Sequence, residues 1–143
     1  MTAEEAEAAA SKERGIVMRT LGNLSILLVE DNPDHAMLTK LALSRLDEVF
    51  EVRIARDGLE AMEMLRGGYR PDLALIDLRL PRLDGVGLIQ AIRSELALSR
   101  LPIAVLSTST DPRDVERSVR AGADLYLDKP LVPSRLREVL PRA

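Results

Sequence analysis

Five short apolar runs, separated by longer amphipathic stretches, constrain the fold of this chain more than any other feature. This alternation is typical of repeated strand-helix units that build a parallel sheet. Three of the runs are almost entirely apolar, as expected for strands that helices cover on both faces. Residues Glu51 to Ile54 alternate between polar and apolar, so their strand is expected at an edge of the sheet. The runs are Ile26–Val29, Phe50–Ala55, Leu73–Ile76, Ile103–Leu106 and Leu125–Leu127.

A helix is predicted after each run, and two of the helix starts carry clear signals. Asn32 and Asp111 stand where an N-cap is expected, and Pro33 and Pro112 follow at the first helical position. One set of apolar residues in the first helix has helical spacing and is predicted to face the core: Met37, Leu38, Leu41 and Ala42. The predicted helices are Pro33–Arg45, Gly58–Arg66, Gly85–Arg93, Pro112–Ala121 and a short Val132–Leu140.

Composition bounds the class of protein. The chain has 143 residues, 46% of them hydrophobic and 30% charged, which predicts one globular domain. It has no cysteine, so disulfides, thiolate zinc sites and cysteine nucleophiles are excluded. The net charge is −3 and no basic residues cluster, which argues against nucleic acid as a partner. No stretch is apolar enough to cross or anchor in a membrane.

Residues 1–22 are predicted to be an N-terminal extension, helical or flexible, and residues 23–143 to be the folded domain. Thr2–Arg14 is rich in Ala and Glu but has no apolar stripe to bury. The extension also lacks the long apolar run of a signal peptide, so we expect a cytoplasmic protein.

Polar residues follow four of the five predicted strands. Glu30 and Asp31 follow the first strand, Asp77 the third, Ser107 the fourth and Lys129 the fifth. In a doubly wound parallel sheet the carboxyl ends of the strands lie at one edge, where the ligand site is found. We therefore expect three acids, one hydroxyl and one ammonium to converge there.

This set of side chains suits phosphoryl chemistry on the protein itself. Clustered carboxylates repel one another, and a hard divalent cation such as Mg²⁺ or Mn²⁺ relieves that repulsion. Lys129 adds a charge that suits phosphate oxygens. Asp77 ends the most apolar strand and is expected to lie deepest, which makes it the candidate nucleophile for an acyl phosphate.

The sequence resembles the receiver domains of two-component response regulators over about Leu24–Leu140. The resemblance implies a five-stranded parallel sheet of flavodoxin-like order 2-1-3-4-5, with helices on both faces. Five motifs in register carry it: Leu28-Val29-Glu30-Asp31-Asn32-Pro33, Ala55-Arg56-Asp57-Gly58-Leu59-Glu60-Ala61, Pro71 to Asp77 with Leu80-Pro81 and Leu83-Asp84-Gly85, Val105-Leu106-Ser107, and Gly122 to Pro130.

The resemblance also implies roles for single residues. Asp77 would accept a phosphoryl group from a partner histidine kinase. Mg²⁺, or Mn²⁺, would be bound by Asp31, Asp77 and the backbone carbonyl of Arg79, with Glu30 acting through water. The Arg79 side chain is open to two expectations: it lies over the phosphoryl pocket or it points to solvent.

Further residues would contact or sense the phosphoryl group. Ser107 and Lys129 would contact it, and Tyr126 would rotate inward when Ser107 moves. The Lys129–Pro130 peptide bond is expected to be cis. His35, in the first turn of the first helix, is expected to pack at the surface rather than to take part in chemistry.

Within the family, Asn32–Pro33 and Leu106–Ser109 resemble the stand-alone responders that serve bacterial phytochrome-type kinases. The expected output is binding to another protein, since 13 residues follow Pro130. A homodimer is expected through the fourth helix, fifth strand and fifth helix. Its apolar patch would contain Leu131, Val132, Leu136, Val139 and Leu140.

Two other functions remain open at this point. A phosphatase of the haloacid dehalogenase type also forms an aspartyl phosphate, but it needs an acid two residues after the nucleophile, where this chain has Arg79. A phosphorylation-independent interaction module would retain the fold without the chemistry. The complete set of Glu30, Asp31, Asp77, Ser107 and Lys129 argues against that alternative, and no enzyme activity is expected beyond self-phosphorylation and autodephosphorylation.

Overall fold

All five predicted strands form in the computed structural model, which describes residues 24–47 and 49–138. The predicted extension, residues 1–22, lies outside the described part, as do Val139 and Leu140. None of the helices described is long and apolar enough to cross a membrane. In chain order the elements are β1 (Leu24–Val29), α1 (Pro33–Leu43), β2 (Val49–Ala55), α2 (Gly58–Arg66), β3 (Leu73–Asp77), α3 (Gly85–Ser94), β4 (Ile103–Ser107), α4 (Pro112–Ala121), β5 (Leu125–Asp128) and a 3₁₀ helix (Pro133–Glu138).

The strands form one parallel sheet in the order β2-β1-β3-β4-β5, which confirms the predicted order and the edge position of β2. Successive residues of a strand point to opposite faces. Ile26 and Leu28 of β1 therefore pack in one core cluster with α1 and the 3₁₀ helix, while Leu27 and Val29 pack in a second cluster with α2 and α3. Helices on both faces bury β1, β3 and β4 almost completely.

The predicted helix caps are confirmed. The Asn32 side chain accepts hydrogen bonds from the backbone N–H groups of Asp34 (2.9 Å) and His35 (3.2 Å) at the start of α1. The Asp111 carboxylate accepts one from the N–H of Arg113 (2.9 Å) at the start of α4. Each cap satisfies a donor that a helix N-terminus leaves without a partner, which fixes where the helix begins after its strand.

The prediction for the core face of α1 is wrong for three of its four residues. Met37, Leu38 and Leu41 are 71%, 61% and 58% exposed, and only Ala42 packs partly against the core. The core face of α1 instead consists of smaller residues together with one leucine. Small side chains on the inner face of a helix let it pack closely against a sheet, and the large apolar side chains of α1 lie on its outer face. The residues of α1 that are buried are Ala36, Thr39 and Leu43.

Within the described residues the last helix is a 3₁₀ helix that begins at Pro133 and is described as far as Glu138. The predicted helix is Val132–Leu140, and its last two residues lie outside the described part. Leu131 and Leu136 pack in the cluster beneath it and are 8% and 0% exposed. They are therefore not part of an exposed patch, contrary to expectation. Val132, in contrast, is 56% exposed. With three residues per turn, a 3₁₀ helix directs a narrower set of side chains inward than an α-helix does.

Arg93 ties together the loops that precede β4 and β5. Its Nη1 donates to the carbonyls of Leu98 and Leu101, both at 2.7 Å. Its Nε and Nη2 donate to the Gly122 carbonyl at 3.1 and 2.7 Å, and Nη2 also reaches Asp124 at 3.1 Å. Gly122 has a φ of +120°, and a Cβ there would lie 2.8 Å from Arg93 Cγ. Only glycine fits both the backbone conformation and the close approach.

We expect Arg93→Met to lower the free energy of unfolding by about 2 kcal/mol, because three partly buried carbonyls lose their donor. Urea unfolding measures the loss. Arg100→Met is the control, since Arg100 is an exposed residue of the same loop and its replacement should cost less than about 0.5 kcal/mol. Equal losses in the two variants would contradict the role assigned to Arg93.

Candidate functional site

Three carboxylates meet at the carboxyl ends of β1 and β3. Glu30 and Asp31 directly follow β1, Asp77 is the last residue of β3, and Val29 pairs with Ile76 in the sheet. One oxygen from each of the three lies within 4.8 Å of the other two. Glu30 and Asp77 are buried and Asp31 is exposed, so the cluster opens to solvent on the Asp31 side.

Lys129 brings a positive charge to this cluster from the end of β5. Its Nζ donates to Glu30 Oε1 at 2.5 Å and to Asp77 Oδ2 at 3.2 Å, and the side chain is only 11% exposed. The Lys129–Pro130 peptide bond is cis, as expected. Hydrogen bonds between charged groups in a site with little water are stronger than neutral ones, so Lys129 fixes the positions of both acids.

The charges in the cluster do not balance. Burial raises the pKa of the Glu30 carboxyl above its usual value, and the neighbouring Asp77 adds to that increase, whereas the Lys129 ammonium opposes it. With all four groups ionised, three negative charges face one positive charge. The donor set contains only oxygen atoms, and such a set fits a hard divalent cation such as Mg²⁺ or Mn²⁺.

Ser107 lies at the same edge of the sheet as the acids. It is the last residue of β4, 1% exposed, and β4 pairs with β3 so that Asp77 lies opposite Leu106. Its Oγ accepts a hydrogen bond from the Ser109 N–H at 3.1 Å, and its carbonyl accepts one from the Lys129 N–H at 2.9 Å. The structure thus brings the predicted hydroxyl and the predicted ammonium to neighbouring strand ends.

Tyr126 is linked to the loop that follows Ser107. The ring is half-buried on β5, and its O–H donates to the carbonyl of Ser109 at 3.1 Å. Because the Ser109 N–H donates to Ser107 Oγ, Tyr126 and Ser107 are joined through Ser109.

Arg79 contacts Asp77 through its backbone and α4 through its side chain. Its N–H donates to Asp77 Oδ1 at 3.2 Å. Its side chain is 74% exposed, but the guanidinium Nη2 binds the buried Asp114 at 3.2 Å. Asp114 also accepts a hydrogen bond from Ser109 Oγ and forms an ion pair with Arg117. The loops after β3 and β4 are therefore joined through one buried carboxylate.

His35, which is predicted from the sequence to pack at the surface, lies beside Lys129. It is half-buried, and its Nδ1 lies 3.1 Å from Lys129 Nζ. A neutral imidazole with Nδ1 unprotonated would accept this hydrogen bond and orient the lysine. The sequence carries no local signal of this contact, because residues 35 and 129 come from elements at opposite ends of the chain.

Gly85 allows α3 to begin directly against the end of β3. A Cβ at this position would lie 2.6 Å from the Asp77 carbonyl oxygen and 2.8 Å from the Cα of Leu78. No side chain fits at that distance, so the glycine is needed for the helix to approach the strand that carries the central acid.

The family model that describes the "Response regulator receiver domain" matches residues 26–141. The chain belongs to this family. The prediction from the sequence motifs is confirmed at this level, as is the five-stranded parallel sheet of the family.

Among curated relatives, the "Probable methanogenesis regulatory protein FilR2" of Methanothrix harundinacea is 40% identical over 124 residues, which cover 83% of this chain and 80% of that protein. The receiver domain spans about half the length of other curated relatives that it matches, 49% in one case. About half of the length of those proteins therefore lies outside the match.

Two solved structures of response regulators are similar to this receiver domain. The phosphorylated cyanobacterial phytochrome response regulator RcpA is 38% identical with a TM-score of 0.69, and the match covers 81% of this chain and 87% of that one. The Mn²⁺-bound form of response regulator Rcp1 is 34% identical with a TM-score of 0.69, over 81% and 88% of the two chains.

We expect millimolar Mg²⁺ to raise the melting temperature of the wild-type receiver domain, because a cation bound only to the folded state stabilises it by mass action. A concentration of about 100 times the Kd would add roughly 2.7 kcal/mol. Asp31→Asn should lose most of this increase, since it removes one carboxylate from the cluster.

Asp34→Asn is the matched control, because Asp34 is an exposed acid three residues away that is not among the clustered carboxylates. It should retain the full Mg²⁺ effect. If both variants kept the effect, Mg²⁺ would bind elsewhere. Differential scanning fluorimetry over a Mg²⁺ titration makes the comparison.

Proposed function

We propose that this receiver domain accepts a phosphoryl group on Asp77 from a histidine kinase and signals by binding other proteins. The observation that carries the proposal is the Lys129 Nζ bound to Asp77 Oδ2 within an oxygen-rich, partly buried cluster. A cation fixed against a carboxylate at the bottom of an open site suits the binding of a phosphoryl group beside that carboxylate.

In the proposed reaction, an Asp77 carboxylate oxygen attacks the phosphorus of a phosphohistidine. A new O–P bond forms while the P–N bond breaks, and the electron pair of that bond returns to the imidazole of the donor. Lys129 would then bind a phosphoryl oxygen in place of one carboxylate, and the Ser107 hydroxyl would donate to another.

The acidic cluster is proposed to hold Mg²⁺ through Asp31, Asp77 and the Arg79 carbonyl, with Glu30 bound through water. When bound, the ion neutralises negative charge on the phosphoryl oxygens. The structure of Rcp1 with Mn²⁺ supports a divalent ion in a similar receiver fold. The unbalanced negative charge among the three carboxylates supports the same proposal.

The proposed donor is a phytochrome-type histidine kinase. The likeness to RcpA, a phytochrome response regulator solved in its phosphorylated form, supports this partner.

We also propose that the chemistry of this receiver domain is limited to gain and loss of its own phosphoryl group. A phosphatase of the haloacid dehalogenase type needs an acid two residues after its nucleophile. In this chain that position is Arg79, whose side chain binds Asp114.

Incubation with acetyl phosphate and Mg²⁺ should add the mass of one phosphoryl group to the wild type and nothing to Asp77→Asn. Asp77 and Glu30 both lie in the acidic cluster and accept a hydrogen bond from Lys129, and the proposal assigns the phosphoryl group to Asp77, at the end of β3. Intact-mass spectrometry measures the adduct. Asp34→Asn serves as the matched control and should be phosphorylated like the wild type.

An equal adduct on Asp77→Asn would refute the assignment of the acceptor. No adduct on the wild type, with Mg²⁺ binding retained, would favour the phosphorylation-independent module. Turnover of small phosphate esters by the wild type, with release of inorganic phosphate over many cycles, would favour the phosphatase.

A homodimer through α4, β5 and the 3₁₀ helix is a second part of the proposal. Val115 and Val119 of α4 are 36% and 56% exposed, and Val132 beyond β5 is 56% exposed. Tyr126 lies on β5 and contacts the loop after Ser107, so a change at the phosphoryl site would reach the same side of the domain. Exposed apolar side chains near such a switch favour an interface.

We expect the wild type to dimerise more strongly with beryllofluoride, a phosphoryl mimic, and Val119→Asp to remain monomeric. Sedimentation velocity measures both. Leu136→Asp would not test the interface, because Leu136 is fully buried and its replacement would unfold the domain. Leu59→Asp, at an exposed position of α2, is the control and should dimerise like the wild type. A wild type that stays monomeric with the mimic would contradict this interface.

A further inference from the structure

The ammonium of Lys129 has three N–H bonds, and three groups in the described part of the chain lie within reach of them. Its Nζ is 2.5 Å from Glu30 Oε1, 3.2 Å from Asp77 Oδ2 and 3.1 Å from His35 Nδ1. An ammonium can only donate. The contact with His35 is therefore a hydrogen bond when Nδ1 carries no proton, because two donors cannot bond to each other.

The backbone fixes the positions of both partners in this contact. His35 lies in the first turn of α1, where its N–H donates to the capping side chain of Asn32 at 3.2 Å. Lys129 follows β5, and its N–H donates to the Ser107 carbonyl at 2.9 Å. The imidazole is half-buried and the lysine side chain is 11% exposed. A hydrogen bond between side chains that are already held in place costs little further conformational entropy.

The imidazole restrains the direction in which Lys129 presents its remaining N–H. Glu30 and His35 accept two of the N–H bonds, and the third is directed at Asp77. The lysine stem is flexible, so an ammonium held only by the two acids can shift between them. A second acceptor from α1 keeps Nζ in one place, and an uncharged acceptor does so without cancelling the positive charge that a phosphoryl oxygen needs.

We propose that His35 is a positioning residue for the phosphorylation of Asp77, because its neutral imidazole accepts one N–H of Lys129 and keeps the ammonium directed at the incoming phosphoryl group. This inference rests on the proposed function, in which Lys129 binds a phosphoryl oxygen. His35 acts through Lys129 and takes no part in the bonds that form and break.

Protonation of His35 removes the effect, because an imidazolium cannot accept at Nδ1 and adds a second positive charge beside the ammonium. Histidine is the side chain whose charge ordinarily changes between pH 5 and 8. Other charged groups around this contact are Glu30 and Asp77, which bind the same ammonium, and Arg45 of α1, which lines the same pocket. Burial raises the pKa of Glu30, so acidification also adds a proton there.

The test measures how fast acetyl phosphate with Mg²⁺ phosphorylates the full chain, by intact mass over time. At neutral pH, His35→Leu should react about tenfold more slowly than the wild type, because it keeps the bulk of the side chain but removes the acceptor. His35→Asn places an amide oxygen near the position of Nδ1 and should restore the rate to within about twofold. His35→Gln is the matched control: it carries the same amide one bond further out and should remain slow.

The pH dependence gives a second readout that a purely structural role would not change. Between about pH 7.5 and 5.5, the ratio of the wild-type rate to the His35→Asn rate should fall at least threefold, because only the wild type has an imidazole to protonate. Protonation of Glu30 or of the phosphoryl donor affects both proteins alike and cancels in the ratio.

Nitrogen NMR tests the contact itself without phosphorylation. His35 is the one histidine of the sequence, so its ring signals are unambiguous in the untagged full chain. At about pH 8 the Nδ1 signal should be that of an unprotonated nitrogen that accepts a hydrogen bond. Its chemical shift should change in Lys129→Met, which removes the donor.

Several results would overturn the inference. Equal rates for the wild type and His35→Leu, a His35→Asn as slow as His35→Leu, or a rate ratio that is constant with pH would exclude the positioning role. A protonated Nδ1 at about pH 8, or a signal unchanged in Lys129→Met, would exclude the contact. If His35→Leu does not fold, the rate ratio and the NMR comparison decide, since neither uses it.

Failure of this inference is distinguishable from failure of the proposed function. A wild type that gains no phosphoryl group would overturn the proposed function and this inference with it. A wild type that is phosphorylated on Asp77, at the same rate as His35→Leu, would overturn this inference alone.

Discussion

The ammonium of Lys129 holds in place two acids that would otherwise repel each other. It lies between Glu30 and Asp77, and His35 contacts it from α1. The sheet order makes this possible, because it places the carboxyl ends of β1 and β3 side by side and that of β5 two strands away. A side chain as long as lysine spans that distance. The fold thus brings three carboxyl groups to one place, and the ammonium of one residue binds two of them.

Much of the fold could be predicted from the sequence because it depends on local signals. Apolar runs, capping residues such as Asn32, and polar residues at strand ends predicted the strands, the helix starts and the members of the acidic cluster. The remainder depends on packing between distant elements. The outward rotation of Met37 and Leu41, the contact of His35 with Lys129 and the burial of Leu136 follow from how closely helices approach the sheet, and no periodicity in the sequence encodes that distance.

Asp114 connects features that the sequence presents as separate. Its carboxylate binds the guanidinium of Arg79, next to Asp77, and the hydroxyl of Ser109, whose carbonyl in turn receives the O–H of Tyr126. A buried acid with these partners is costly to leave unpaired. Movement of the Ser107–Ser109 loop therefore cannot occur alone. It must either carry Asp114 with it or exchange the partners of Asp114, and both outcomes change the surface of α4.

Arg93 and Gly122 make the end of the sheet where β4 and β5 begin less tolerant of substitution than the end that carries the acidic cluster. At the edge where β4 and β5 begin, one guanidinium satisfies the carbonyls of two loops, and no other residue than glycine fits against it. Substitutions there are limited by stability whatever the domain binds. At the opposite end of the strands, substitutions are limited by the chemistry of the acidic cluster and by the binding of partners. Related domains can therefore change what they bind while they keep the same residues at the end where β4 and β5 begin. The residues that stabilise the fold are thus separate from those that set binding specificity.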